Sequence, residues 1–578
     1  MIEEQLDSYS PEDQRLLAAA SVEGTEFSAA AVAAGVQAGV AEVESGCAAL
    51  ARLGQLVQAR GIEEWPDGTV AGRYGFRHAV YQQVVYDRLP VGLRIQLHRL
   101  IGEQEEVAYG GRAGEQAAKL AMHFDQGRDY ARAALYRRHA AERALQRYAY
   151  YQAMDHLTRG LEVLKSLPAT PENVQHTLEL QALLGMVLSV TKGFAAPEAA
   201  QAYARARALC QHVGDTPYLF PALWGLWVHS LVRAALHTAL DLAEELMRMA
   251  RSQLAPTSHL KRAYNVMGVT LFALGEFVSA REHFEQSLAL AEIEQRSPLD
   301  FFYGQDAAAV SLTYLSCVLW SLGYPDRALR QSEEALVAAR ALCHPHSLAL
   351  VLHFTTWVHQ LRRELPVMQE RIAELVALAS QEGFAYWAAQ GTMWRGWSLS
   401  AQGEHAPGIA QMLQALSARR ATGASPYRAS HFALLAWAHG KAGQVDDGLC
   451  VVAEALASAD STGDRAYVAE LHRLKGGLLL QQRPANPSQA EGCFQQALAI
   501  ARGQRAKSWE LRAAVSLSRL WQQQRKVPAA YKMLAEVYGW FTEGFDTADL
   551  KEAKALLKML SSGGTGHRAS RGVAHMAH

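Results

Sequence analysis

The sequence predicts an all-α protein: a right-handed superhelix of about ten helical hairpins, preceded by a small N-terminal domain. Three observations carry this expectation. Small residues recur at Ala153, Ala199, Ala239, Ala280, Ala328, Gly408, Gly448, Ala490 and Ala530, with Met368 filling the one remaining place, at intervals of 40 to 48 residues. The stretch Tyr264–Glu292, YNVMGVTLFALGEFVSAREHFEQSLALAE, reads as two amphipathic helices joined by a tight turn. Hydrophobic residues make up 50% of 578 positions, with many alanines and few β-branched runs. A chain of that length outgrows one compact core unless it grows by repetition.

The hairpin at Tyr264–Glu292 sets the pattern. Its first helix carries Tyr264, Met267, Gly268 and Leu271 on one stripe. Gly275 stands where a helix C-terminus wants a left-handed residue. The second helix resumes with Phe277, Ala280, Phe284, Ser287 and Leu288. Gly268 and Ala280 let the two helices approach, and the aromatics fill the space beside them. An aromatic, then Leu-Gly, then Ala, then an aromatic resembles the tetratricopeptide repeat. A period near 40 exceeds the usual unit of about 34, so each helix is expected to be about a turn longer.

The turn recurs as Leu274-Gly275-Glu276, Leu322-Gly323-Tyr324, Gln402-Gly403-Glu404 and Ala442-Gly443-Gln444. In the Met368 unit Arg363 replaces the turn glycine. Loop chemistry separates the units at Pro168 to Pro171, Gly214 to Pro217, Pro256 to Ser258, Gly423 to Pro426 and Gly463-Asp464. A longer loop is expected at Arg296–Asp300. The array is expected over 126–560, closed by a helix at Asp549–Leu560, with a disordered tail over 561–578.

Residues 1–100 follow another rule. Ser10-Pro11-Glu12-Asp13 is a helix start, with Ser as cap, Pro in the first turn and acids against the dipole. Helices are expected at Gln14–Ala20, Ser28–Ala34 and Val40–Leu53, then strands at Gln55–Arg60 and Thr69–Phe76 around Trp65-Pro66-Asp67-Gly68. Three helices and a two-stranded wing are the layout of a winged helix. Its 8 Arg and no Lys stand against 13 Asp+Glu, the wrong sign for neutralising phosphates, so nucleic acid is disfavoured as a partner. A helical connector is expected over 101–125.

SPEDQRLLAAASVEGTEFS at Ser10–Ser28, YGFRHAVYQQVVYDRLP at Tyr74–Pro90 and Leu120-Ala-Met-His-Phe124 carry a wider resemblance. Together they resemble the carboxy-terminal half, winged helix plus tetratricopeptide-like array, of bacterial signal-transduction ATPases with numerous domains. That family includes members linked to adenylate/guanylate cyclases or regulators. The resemblance implies a sensor that binds a protein, peptide or small inducer and controls a nucleotide-binding partner, with His78 a candidate interdomain contact. No GxxxxGK[ST] occurs, so the family's ATPase residues have nowhere to map. The expectation is the sensor half of such a regulator, cut off or separately encoded. The alternatives are a trans-acting subunit of an ATPase or cyclase encoded upstream, and a winged-helix transcription regulator.

A ligand site is expected where first helices line the groove. Eleven residues before each small marker, three consecutive units place Trp357, Trp397 and Trp437. The same column holds Val228, Val269 and Cys317 before them, and Leu479 and Arg519 after. Tryptophan is over-represented at binding hot spots and also fills half-buried space well. His359, His439, Lys441 and Arg362 are the polar neighbours of this groove.

Chemistry of other kinds is not indicated. There is no HExxH, no GxSxG and no outstanding carboxylate pair, so no catalytic residue, metal ligand or cofactor is expected. His344-Pro345-His346 lacks the further ligands a zinc site needs. Six scattered cysteines without a CxxC read as reduced, mostly buried thiols. Formal net charge is −1, which recruits neither nucleic acid nor an anionic membrane. Met1–Gln14 has five acids and no apolar core, unlike a signal peptide. These features together point to a cytoplasmic protein with no membrane partner.

Overall fold

The computed structural model describes residues 2–213, 217–252, 255–291, 303, 305–425 and 428–565. The loop expected at Arg296–Asp300 and the three tail histidines His567, His575 and His578 lie outside those residues. The chain divides into two compact units, Met1–Leu184 with Ala208–Asp215, and Gly185–Arg207 with Thr216–His578.

The first unit opens with a helix at Ile2–Asp7, then helices Pro11–Glu23, Ala29–Val36 and Val40–Leu53. Ser10 caps the second of these, its hydroxyl accepting from the Asp13 N–H. The two expected strands form at Val57–Glu64 and Val70–Phe76, antiparallel, with a bulge between Ala59 and Gly61. A third strand, Glu26–Ser28, pairs antiparallel with Val70–Phe76, so that this strand sits in the centre. Three residues are too short to show a period, which is why the sequence did not announce it. Leu17, Phe27, Val32, Val43, Cys47, Leu50, Trp65, Tyr74 and Phe76 form the core between helices and sheet. Helices Ala79–Arg88 and Val91–Tyr109, a 3-10 turn Gly110–Gln116 and helix Ala117–Gln126 follow as the connector.

From Tyr130 onward the described residues form ten helical hairpins. They begin with Tyr130–Gln146 and Tyr150–Leu164, and end with Lys507–Gln523 and Val527–Gly539. Every marker residue falls early in a second helix, and all ten are buried. The reason is steric: a Cβ added at Gly408 would lie 2.5 Å from the Gly396 carbonyl oxygen, and one at Gly448 3.0 Å from the Leu478 side chain. The first helices are restricted in the same way, for a Cβ added at Gly268 would meet the Phe284 ring at 2.7 Å, and one at Gly476 would meet Phe494 at 2.6 Å. The left-handed turn five residues before the marker also recurs, at Gly275, Gly323, Gly403 and Gly443. Tyr148, Ala234, Arg363 and Arg525 take the same conformation without being glycine, so the turn belongs to the repeat rather than to the residue. The closing helix runs Ala548–Thr565, beginning one residue before the expected Asp549 and extending five residues past Leu560. Cys47, Cys210 and Cys317 are buried, whereas Cys343 and Cys450 are exposed and Cys493 is half-buried.

Within the second unit the hairpins do more than stack on neighbours. The Ser425 N–H donates to the Val232 carbonyl (2.6 Å) and the Arg465 N–H to the Ala273 carbonyl (2.9 Å). The Ser508 hydroxyl donates to the Trp320 carbonyl in the same manner. Each acceptor lies at the end of the first helix of one hairpin, where carbonyls lack an intrahelical partner. Each donor lies at or just before the first helix of the hairpin five further along. Asp326 and Glu543 extend this seam: Asp326 Oδ2 accepts from the Gly544 N–H (2.8 Å), and Glu543 Oε1 accepts from Asp326 N–H (3.0 Å) and Arg327 N–H (2.9 Å).

Candidate functional site

The groove column is built by the first helices of successive hairpins. Each helix repeats the same angular position, so residues eleven before the marker fall in register. Two cavities of the second unit take up that column. Val228 and Val269 line a small one of about 50 Å³, walled by Trp224, Trp227, Tyr314, Phe354 and Trp387. Trp397, Trp437 and Arg519 line the large one, about 750 Å³. Cys317 is fully buried between the two sets.

Three of the six expected groove residues, Trp397, Trp437 and Lys441, therefore border the large cavity. The two indoles lie 5.3 Å apart at 33°, and the Lys441 ammonium stands 5.8 Å from the Trp437 ring centre. A cation over an indole face is attracted to it by the ring quadrupole.

The other three do not line that cavity. Trp357 is 3% exposed, and its Nε1–H donates to the hydroxyl of Tyr467, which stands at the start of the hairpin three further along. His359 Nδ1 bonds Glu364 Oε2 (2.8 Å), and His439 Nδ1 bonds Gln444 Oε1 (2.8 Å). Both histidines thus clamp the turn of their own hairpin. Arg362 is similarly occupied, by Glu364 and the Pro325 carbonyl. His78 begins helix Ala79–Arg88, is exposed, and stands edge-on to Tyr81 at 5.5 Å.

The far wall of the large cavity comes from residues the column did not include. Tyr467, Glu470, Arg473, Trp509, Arg512, Asp549 and Glu552 all border it. Arg473 holds Glu470 through two bonds of 2.7 Å. Arg512 Nε donates to Asp549 Oδ2 (2.7 Å) and its Nη2 to the Leu361 carbonyl (2.6 Å). The Arg512 guanidinium also lies 4.8 Å from the Trp320 ring and 5.3 Å from that of Trp509. Arg363 bridges Asp549 (3.3 Å) and Glu552 (2.8 Å), and Arg519 pairs with Glu552. Burial pushes the Tyr467 hydroxyl well up, so it stays neutral while it accepts from Trp357.

Five cations (Arg363, Lys441, Arg473, Arg512, Arg519) face three carboxylates (Glu470, Asp549, Glu552) along this lining. The surplus is positive, and Lys441 has an indole rather than a carboxylate beside it. An aromatic floor under fixed guanidinium groups can hold an apolar group and an anionic group of one ligand together. His344 and His346 serve the scaffold: His344 caps helix Pro345–Arg362 through the Ser347 N–H, and Trp387 Nε1–H donates to His346 (3.1 Å). Among the described residues no helix is long and apolar enough to cross a membrane.

No protein-family model matches the chain. An uncharacterized protein of Rhizobium meliloti (strain 1021) is 24% identical over 459 residues, 78% of this chain and 44% of that protein. This chain thus spans less than half the length of that relative. Among solved structures, a Rap protein complexed with competence and sporulation factor is 12% identical, with 68% of this chain and 100% of that one covered and a TM-score of 0.46. The apo form of the quorum sensor NprR from B. thuringiensis is 10% identical, covering 63% and 98%, with a TM-score of 0.39. The Cut9-Hcn1 hetero-tetramer is 14% identical, covering 74% and 94%, with a TM-score of 0.32.

Proposed function

We propose that this chain is a non-enzymatic regulatory module whose helical hairpins bind a peptide or small inducer and so control a nucleotide-binding signalling partner. The observation that supports it is the large cavity, where paired indoles lie beside an arginine-rich wall with positive surplus. The occupant is an extended ligand carrying both an apolar group and a carboxylate or comparable anion. Binding would favour one curvature of the hairpin array over another, and the partner would read that difference.

The test is a selection from a random peptide display library, followed by anisotropy titration of the labelled winners. Trp397→Ala and Trp437→Ala should each weaken binding by about 2 kcal/mol or more, the scale of an interface hot spot. Equal affinity in both variants would remove the cavity as the site.

A second reading rests on the N-terminal layout, whose three helices and three-stranded sheet would suit a winged-helix transcription regulator. Its charge, 8 Arg against 13 acids in residues 1–100, opposes that reading. A gel shift at low salt with the full chain would rescue it only if a duplex is retained.

A further inference from the structure

We propose that Glu23, Glu105 and His123 form a divalent metal site in the first unit, in which the Lys119 ammonium holds the place of the ion. The three side chains converge from separate helices. Glu23 ends Pro11–Glu23, Glu105 lies on Val91–Tyr109, and His123 lies on Ala117–Gln126 one turn after Lys119. One potential ligand atom from each falls within 4.8 Å of the others, a spread that closes on a single ion with small side-chain rotations. Their side chains are 3%, 2% and 0% exposed.

Three further observations point to a ligand. Glu23 Oε2, Glu105 Oε2 and His123 Nε2 are all buried without a hydrogen-bond partner, which is costly for groups of this polarity. Glu23 Oε2 and His123 Nε2 face each other at 3.5 Å. The remaining nitrogen of His123 is engaged behind the site: His123 Nδ1 bonds His98 Nδ1 (3.0 Å), and His98 Nε2 bonds the Tyr86 hydroxyl (3.1 Å). Metal-bound imidazoles show this outer shell, which fixes the ring and leaves Nε2 free to donate its lone pair.

The charges fit as well. Two carboxylates share the single ammonium of Lys119, bonded to Glu23 and to Glu105. A divalent ion with a neutral imidazole would balance both carboxylates. Lys119 can yield its place because its side chain is 32% exposed and reaches solvent. Carboxylate oxygens with one imidazole suit Zn2+ or Mn2+. The ion would tie the second helix of the N-terminal domain to the connector helices Val91–Tyr109 and Ala117–Gln126.

The experiment uses the full chain carrying His567→Ala, His575→Ala and His578→Ala, so that the tail cannot bind metal. After dialysis against chelator, Zn2+ alone and Mn2+ alone are titrated by calorimetry, and Co2+ is added to record its visible spectrum. One equivalent should bind, and Glu105→Gln and His123→Gln should abolish binding and the Co2+ band. Lys119→Met is decisive because it moves the two readings apart. At a metal site it tightens binding by at least about tenfold, since the ammonium no longer competes. If Lys119 is a structural counter-ion instead, the variant melts lower and takes up no metal. Absence of uptake by both the parent and Lys119→Met, or uptake unchanged by His123→Gln, overturns the proposal.

Discussion

Gly408→Ala sets two opposing effects against each other, and the structure decides between them. Gly408 opens the second helix of its hairpin, His405–Ala421, against the first, Ala385–Ala401. A Cβ there would lie 2.3 Å from Ser400 Oγ, 2.5 Å from the Gly396 carbonyl oxygen and 2.8 Å from Ser400 N. The hydroxyl can turn away, but the two backbone atoms cannot. Alanine gains about 1 kcal/mol over glycine in a helix interior. Overpacking against a fixed neighbour costs about 1–3 kcal/mol, so the net expectation is a loss of up to about 2 kcal/mol. Gly492, in helix Pro487–Gly503, is the matched control, because nothing lies within 4 Å of its added Cβ. Gly492→Ala should therefore stabilise by about 1 kcal/mol. Native-state hydrogen exchange reads both locally, with about a tenfold change in rate for each 1.4 kcal/mol. Amides of Ala385–Ala401 and His405–Ala421 should exchange faster in Gly408→Ala, and those of Pro487–Gly503 slower in Gly492→Ala. Changes of the same sign would refute the steric argument.

Three further outcomes are expected. Burial, and then the charge of Arg419, hold the His353 imidazole down at about 3, against 6.5 when unfolded. The folded state then binds fewer protons, so this stability is full above pH 6.5 and is lost as pH falls from there toward 3. His353→Gln, which still accepts from Trp394 Nε1–H, should flatten that part of the urea-midpoint profile; an unchanged slope counts against it. Phe284→Ala should cost about 3–5 kcal/mol, since the ring is fully buried against Gly268 and Tyr314, and a loss under about 1 kcal/mol would contradict this packing. Glu543→Ala should free the start of helix Pro325–Ala341 and cost about 0.5–2 kcal/mol, the worth of a helix cap, whereas Glu543→Gln should retain most of it; exchange at the Asp326 and Arg327 amides is the measurement.

The hairpins were legible because their requirements are local. A small residue must stand where Phe284 crosses Gly268, and a left-handed residue must stand at Gly275, so both leave periodic marks. The Trp column was legible as a direction but not as a surface. Trp397 and Trp437 reach the cavity, while Trp357 meets Tyr467, a contact between residues 110 positions apart that no helical period contains. The bonds of His359 and His439 across their own turns had a signal in the sequence: Glu364 and Gln444 follow five residues later. The Arg473–Glu470 and Arg512–Asp549 wall looked like ordinary helix-surface charge. Glu23, Glu105 and His123 have no common spacing, because three helices of different direction bring them together.

The hydrogen bonds from Ser425, Arg465 and Ser508 to carbonyls five hairpins earlier change what kind of polymer the second unit is. An open array of repeats melts like a one-dimensional Ising chain, frayed at its ends and tolerant of truncation. Here the Trp320 carbonyl waits for a hydroxyl 188 residues away. Such a loop closes late, at an entropic cost that only the finished coil offsets. Removing hairpins from the C-terminal end would therefore uncap helices near Val232, Ala273 and Trp320, far from the cut, and the unit should lose its structure as a block.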